Sequence, residues 1–135
     1  MTGARETERL DRYLWELIEE LGGLVVGDDL CSGSRYFWDL VDEDGDPLAV
    51  LARRYIFRAP CARMRPSTRR IEHLKGLAEQ YRVEGIILVG LKFCDLYGGD
   101  YLLVKRGLEE TGLPLLRLER EYVLGGGAGQ VKTRV

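Results

Sequence analysis

The sequence predicts an α/β fold with a doubly wound, mostly parallel sheet, and three observations lead there. The run Gly85-Ile86-Ile87-Leu88-Val89-Gly90-Leu91 is apolar without polar alternation, is bounded by glycine and by charge, and is too short for a typical helix. It reads as a strand buried on both faces. Along the whole chain the expected order is helix, strand, helix, helix, strand, helix, strand, helix, which suits parallel strands joined by helical crossovers. The central run also delivers Cys94 and Asp95 just beyond its carboxyl end, where open α/β sheets gather their ligands. A thiol at such a strand end is placed for metal or nucleophilic chemistry, although a buried structural cysteine beside a surface aspartate is the plainer account of this stretch alone.

The elements follow in order. From Glu6 to Leu21, Leu10, Tyr13, Leu14, Leu17, Ile18 and Leu21 form one apolar stripe at helical spacing, and Gly22-Gly23 ends it. Leu24-Val25-Val26 reads as a short buried strand. It opens into the polar loop Gly27–Arg35, which either holds a ligand or closes on its own backbone as a capping turn. Tyr36 to Val41 reads as a short helix. Asp42-Glu43-Asp44-Gly45-Asp46-Pro47 has many carboxylates but lacks the spacing and trailing glutamate of a calcium loop, so it reads as a solvated turn. In it Asp46 caps the next helix, with Pro47 in the first turn.

Arg53 to Arg70 holds seven arginines and no acidic residue, a local positive charge suited to a phosphate, an acidic partner or simple solvation. Ser67 then caps a helix whose inner stripe is Ile71, Leu74, Ala78 and Tyr81, which places His73 on the outer surface. After the central strand a helix is expected from about Asp100 to Glu110, closed by Thr111-Gly112. Leu113–Glu119 follows as a strand, Gly125–Gln130 as a glycine-rich turn, and a last helix begins near Gln130. The glycine run matches neither a dinucleotide fingerprint nor a P-loop. The whole is a Rossmann or flavodoxin type of arrangement that lacks most of its first strand, of which Met1-Thr2-Gly3 is at best the remnant. Such a chain is expected to be a piece of a longer subunit, and to be marginally stable or associating when alone.

Length and composition bound the function. At 135 residues there is one domain and one core. A net charge of −2 gives no nucleic-acid footprint, and no apolar run approaches a membrane span, so the expected setting is the cytoplasm. Cysteines 31, 61 and 94 are odd in number and far apart, which suggests neither a disulfide framework nor a local zinc motif, and a single histidine excludes most His-based metal clusters.

Several motifs, in order, resemble the last domain of 2-hydroxyacyl-CoA dehydratase subunits, a family that includes ATP-dependent benzoyl-CoA reductase subunits. They are Glu16–Gly23, Asp28-Asp29-Leu30-Cys31-Ser32-Gly33-Ser34-Arg35-Tyr36-Phe37-Trp38, Ala59-Pro60-Cys61, Leu91-Lys92-Phe93-Cys94-Asp95 and Gly129-Gln130-Val131-Lys132-Thr133-Arg134. The resemblance spans about Leu10 to Val135. It implies a [4Fe–4S] cluster in the complete enzyme, with Cys94 as one of three cysteine ligands. It further implies a related partner subunit in a heterodimer, an activator ATPase supplying a low-potential electron, and ketyl-radical loss of water from a (R)-2-hydroxyacyl-CoA to give an enoyl-CoA. Ser32, Gly33, Ser34, Arg35, Gly129 and Gln130 are then expected to line the substrate cavity, while no catalytic residue is assigned.

The chain departs from the family pattern at two points. The upstream ligand cysteines have no counterpart here, so Cys94 alone makes no cluster, and Leu96 stands where the family often has proline. A non-catalytic α/β binding or assembly module, or a thiol protein working through Cys94, are the alternatives of other classes.

Overall fold

The computed structural model describes residues 4–121 and 128–134. Among them the order is α1 (Ala4–Glu20), α2 (Ser34–Phe37), α3 (Pro47–Phe57), α4 (Thr68–Tyr81), β1 (Ile86–Leu91), α5 (Asp95–Leu108), β2 (Leu115–Arg120) and α6 (Ala128–Arg134). About half of the chain is helical, and the two strands pair in parallel, Ile86 opposite Leu115 and Leu91 opposite Arg120. A parallel pair needs a crossover, and α5 supplies it. A single 3-10 turn, Glu109–Thr111, and Gly112 at φ +67° bring the chain back into β2. Glycine occupies that left-handed position without the steric cost a side chain would carry.

The sheet is covered on both faces, because successive strand residues point to opposite sides. On one side Leu88, Ile86 and Leu115 pack with Val104, Leu108 and Tyr101 of α5 and Leu74 of α4. On the other, Ile87, Leu116 and Leu118 meet Leu14, Leu17 and Ile18 of α1 and Val131 of α6. Each of the fully buried aliphatic side chains contributes roughly 1.5–3 kcal/mol. The expectation of a parallel α/β arrangement therefore holds as helices layered on a two-stranded parallel sheet.

The helix boundaries have local causes. Gly22 stands at φ +91°, and Gly23 N–H returns to the Ile18 carbonyl at 3.0 Å, closing the end of α1. Asp46 caps α3 as expected, accepting from the Leu48 and Ala49 N–H groups, each at 3.1 Å. Ser67 takes the N-cap place of α4, but its hydroxyl makes no capping bond.

Three expectations are corrected. Leu24-Val25-Val26 is extended but joins no ladder among the described residues; only Val25 packs inward, while Leu24 is 76% exposed. An apolar triplet after a helix stop is too short a signal to separate a strand from a strap. The crossover helix begins at Asp95 rather than near Asp100, because Gly98-Gly99 lies inside it, with Gly98 N–H bonded to the Cys94 carbonyl at 3.0 Å. The short helix expected at Tyr36–Val41 is instead Ser34–Phe37. Among the described residues no helix is long and apolar enough to cross a membrane.

α3 differs from the other helices. None of its residues is buried, and Leu48, Ile56 and Phe57 are each more than half exposed. Burial therefore adds little to its stability. It is held by its Asp46 cap, by Arg54, whose Nε donates to the Asp39 carbonyl at 2.8 Å, and by the Tyr36–Tyr55 ring contact at 5.9 Å.

Candidate functional site

The carboxyl end of β1 turns into α5 over a few residues. Phe93 takes a left-handed backbone at φ +60°, a position that a bulky side chain rarely adopts, and it is almost wholly exposed. Cys94 follows as the N-cap residue of α5 in extended conformation, half-buried, its N–H bonded to the Leu91 carbonyl at 3.2 Å. Its sulfur makes no capping bond. The strand end, the turn and the helix start thus fix the backbone of Cys94 from both sides, while its thiol remains uncommitted to the helix.

The 28–35 loop is organised by its own residues. Asp28 Oδ1 accepts from the Leu30 N–H at 2.9 Å and the Ser34 N–H at 3.0 Å, and the Ser34 hydroxyl donates to the Asp28 carbonyl. Gly33 is required there, since a Cβ would stand 2.1 Å from Asp28 Oδ1. Of the two readings left open for this loop, the self-closing turn describes its backbone. Ser34 and Arg35 are buried, Gly33 is half-buried, and Ser32 is exposed. Gly129 is exposed on α6, while the Gln130 side chain and the glycines at 125–127 lie outside the described residues. α6 packs against α1 and β2, whereas the 28–35 loop is tied to α4.

That tie is a buried charge network that no local motif in the sequence announces. Arg35, 3% exposed, donates through Nη1 to Asp29 Oδ2 at 3.4 Å and to the Pro60 carbonyl at 3.3 Å, and through Nη2 to the Cys31 sulfur at 2.8 Å. Arg70 on α4 donates through Nε to the same Asp29 oxygen at 3.3 Å and through Nη1 to Asp100 Oδ2 on α5. Buried charges need such partners. His73 closes the group. Its Nε2 stands 3.7 Å from Asp29 Oδ1, beyond hydrogen-bond length, and its ring meets Trp38 edge-on. His73 is therefore an inner residue rather than a surface one, because the 28–38 segment lies across the side of α4 that the stripe assigns to solvent. Burial pushes the Asp29 carboxyl above its ordinary range, against the lowering influence of Arg35, Arg70 and His73.

Tyr97 lies on the first turn of α5. Burial raises its phenol, the thiols of Cys31 and Cys61 raise it further, and Arg70 and Arg35 act in the opposite direction. Burial thus keeps the phenol protonated, within the electrostatic reach of Cys31, Cys61 and both arginines. A signal for part of this group is present in the sequence: Asp100 shares a helical stripe with Val104 and Leu108, and Arg70 shares one with Leu74 and Ala78. Charged residues at core spacing of two helices are candidates for a buried pair.

The donor set does not by itself hold a metal group. Among the described residues no three His, Cys, Asp or Glu side chains come together in a way that could hold a metal ion. The described residues therefore do not make a complete cluster site. Cys94 stands as one thiol donor at the strand end, and Cys31 already accepts from Arg35.

Comparison with known proteins gives a consistent picture. The sequence model of the family described as 2-hydroxyglutaryl-CoA dehydratase, D-component, matches residues 7–135. A protein of Escherichia coli (strain K12) named as a dehydratase subunit, YjiM, is 34% identical over 119 residues, 87% of this chain and 30% of that protein. The beta chain of (R)-phenyllactyl-CoA dehydratase from Clostridium sporogenes is 31% identical over 80% of this chain and 29% of its own length. A benzoyl-CoA reductase subunit of Thauera aromatica is 26% identical over 83% of this chain and 26% of its own length. The chain thus spans less than a third of the length of the curated relatives it matches.

Proposed function

Because the chain belongs to the 2-hydroxyglutaryl-CoA dehydratase D-component family, we propose that it is the C-terminal-type domain of a 2-hydroxyacyl-CoA dehydratase subunit. The complete enzyme removes water from a (R)-2-hydroxyacyl-CoA to give an enoyl-CoA. The observation supporting a direct role for this domain is Cys94, a half-buried thiol at the end of β1, held by backbone on both sides and not used to cap the helix it precedes. In this reading Cys94 gives one thiolate to a [4Fe–4S] cluster whose other protein donors lie outside the described residues. The two-stranded sheet is then one part of a larger doubly wound sheet. A related subunit and an activator ATPase are the protein partners, and the acyl-CoA lies along the strand-end loops, with Ser32 the most accessible of the residues expected from the 28–35 loop.

The chain's own residues have a mechanical role in this scheme. Arg35 and Arg70 tie the 28–35 loop, the Pro60 backbone, α4 and α5 into one unit beside the strand end. Asp29 and Asp100 neutralise them without admitting solvent. Burial keeps the Tyr97 hydroxyl protonated. A benzoyl-CoA reductase type of domain is the second reading, favoured by the Thauera aromatica relative.

The test is substitution in the assembled enzyme. Cys94→Ser lowers both iron content and dehydration of a 2-hydroxyacyl-CoA, while Cys61→Ser leaves iron near the wild-type level. Equal iron loss in both variants removes the ligand assignment. Turnover by the 135-residue chain alone, given activator and ATP, removes the need for further donors. Unchanged iron and activity in Cys94→Ser leaves a non-catalytic assembly module.

A further inference from the structure

The arginine-rich segment is not absorbed by this scheme, and its first part lines an open groove. Arg53, Arg54 and Arg58 come from the second half of α3 and the residue after it, and Phe57 lies among them, with Asp39 and Asp42 on the facing strap. The concavity is about 140 Å³, room for a phosphate group but not for a whole nucleotide. Arg53 is exposed and makes no hydrogen bond or ion pair to any described residue, and Arg58 only overlies the Tyr36 ring at 5.9 Å. Arg54 is spent on its Nε and Nη2 sides, on the carbonyls of Asp39 and Tyr36, but its Nη1 is buried with no acceptor among the described residues. A buried guanidinium donor without a partner is costly, so the groove carries one cation whose hydrogen bonding is incomplete among the described residues. Phe57, 61% exposed, offers a ring face beside the cations.

We propose that this groove binds the terminal 3′-phosphate of a coenzyme A thioester, with the phosphate against Arg53, Arg54 and Arg58 and the rest of the nucleotide outside the groove. The assignment rests on the acyl-CoA reading above. It explains why an exposed helix with no buried residue, together with the residue that follows it, sets three cations and an exposed ring on one groove, a combination that burial does not require. Three guanidinium groups face two carboxylates, so the groove carries a net positive charge. Asp39 and Asp42 oppose the ligand, and neutralising them strengthens binding.

Titration calorimetry on the 135-residue chain tests this, with coenzyme A, dephospho-coenzyme A and adenosine as probes. Coenzyme A binds, dephospho-coenzyme A binds more weakly, and adenosine does not register. The Arg53→Gln/Arg58→Gln pair weakens coenzyme A about tenfold or more, as expected for loss of two charge-assisted contacts. These two side chains make no hydrogen bonds to the described residues, so folding is not at risk, and circular dichroism confirms it. Asp42→Asn tightens binding, and Cys94→Ser leaves it unchanged. The readout does not involve iron, so failure of the ligand assignment of Cys94 and failure of the groove are distinguishable. Absence of coenzyme A binding, or equal affinity in wild type and the double arginine variant, overturns the proposal. Weakening by Asp42→Asn overturns it as well.

Discussion

Arg70 of α4 and Asp100 of α5 are paired side chain to side chain at 6% and 1% exposure, 30 residues apart in sequence. Asp29, 41 residues before Arg70, shares the same guanidinium. One cation thus joins the 28–35 loop to the crossover helix of the sheet.

Breaking that pair from one side is expected to be expensive. Asp100→Ala leaves Arg70 with a single long contact to Asp29, and loss of one member of a buried ion pair costs roughly 3–5 kcal/mol. In a double-mutant cycle, Arg70→Met with Asp100→Leu costs less than the sum of the two single changes, because no charge is stranded at this site. Chemical denaturation with coincident slopes measures it. Strict additivity refutes the coupling.

A pH dependence follows from Asp29. Its carboxyl is raised above 3.8 by burial, so the folded state holds that proton more tightly than the unfolded chain does. The sign is then fixed: this group favours the fold most below pH 3.8, and the advantage is lost as pH rises through its folded pKa. Relative to Asp29→Asn, wild-type stability falls across that window. A wild-type profile that rises relative to the variant shows that Arg35 and Arg70 outweigh burial.

Gly107 marks a close approach of α4 and α5. A Cβ there stands 2.6 Å from both Cδ1 and Cγ2 of Ile71. Alanine ordinarily favours a helix interior over glycine by about 1 kcal/mol. Here overpacking of roughly 1–3 kcal/mol outweighs that gain. Gly107→Ala lowers the melting temperature, and Ile71→Ala added to it restores part of the loss.

α3 relies on its cap rather than on a core. Asp46→Ala costs about 1 kcal/mol locally. The amides of α3 exchange faster in this variant, with little change in the protection of β1. Equal acceleration in both elements is the contrary result, and it means α3 opens only with the whole fold.

Each described strand has the other as its only strand neighbour among the described residues, and large apolar side chains such as Leu40, at 89% exposed, and Phe93 face solvent. The chain is expected to associate as its concentration rises. Sedimentation across a wide dilution series gives the answer, and a monomer throughout contradicts it.

Much of this fold is legible in the sequence because its signals are periodic. The Ile86–Leu91 run, the α1 stripe through Leu14, Leu17 and Ile18, and the Asp46-Pro47 start each carry a physical cause visible in the neighbouring residues. The site is less legible because it is assembled from distant parts. Among seven arginines in one segment, only the α4 stripe that it shares with Leu74 and Ala78 separates Arg70, which is buried, from Arg53, which is exposed. His73 reads as a surface residue for the same reason: a strap from residues 28–38, not a periodic element, covers it. The position of Cys94 at the strand end is legible, since a strand-to-helix turn is a local feature.

The parallel pairing of β1 with β2 also bears on how the chain acquires its structure. Ile86 and Leu115 are joined through a single intervening crossover, so this unit closes over a short loop and is suited to form early. The contact of Asp29 with Arg70 closes over a longer, irregular stretch, and the buried charges gain little until the surroundings are dry. Substitutions at Leu88 or Val104 should therefore slow folding, whereas Asp29→Asn should act mainly on the unfolding rate. The ion network is then the last part to set, a latch that determines how long the native state lasts rather than how fast it is reached.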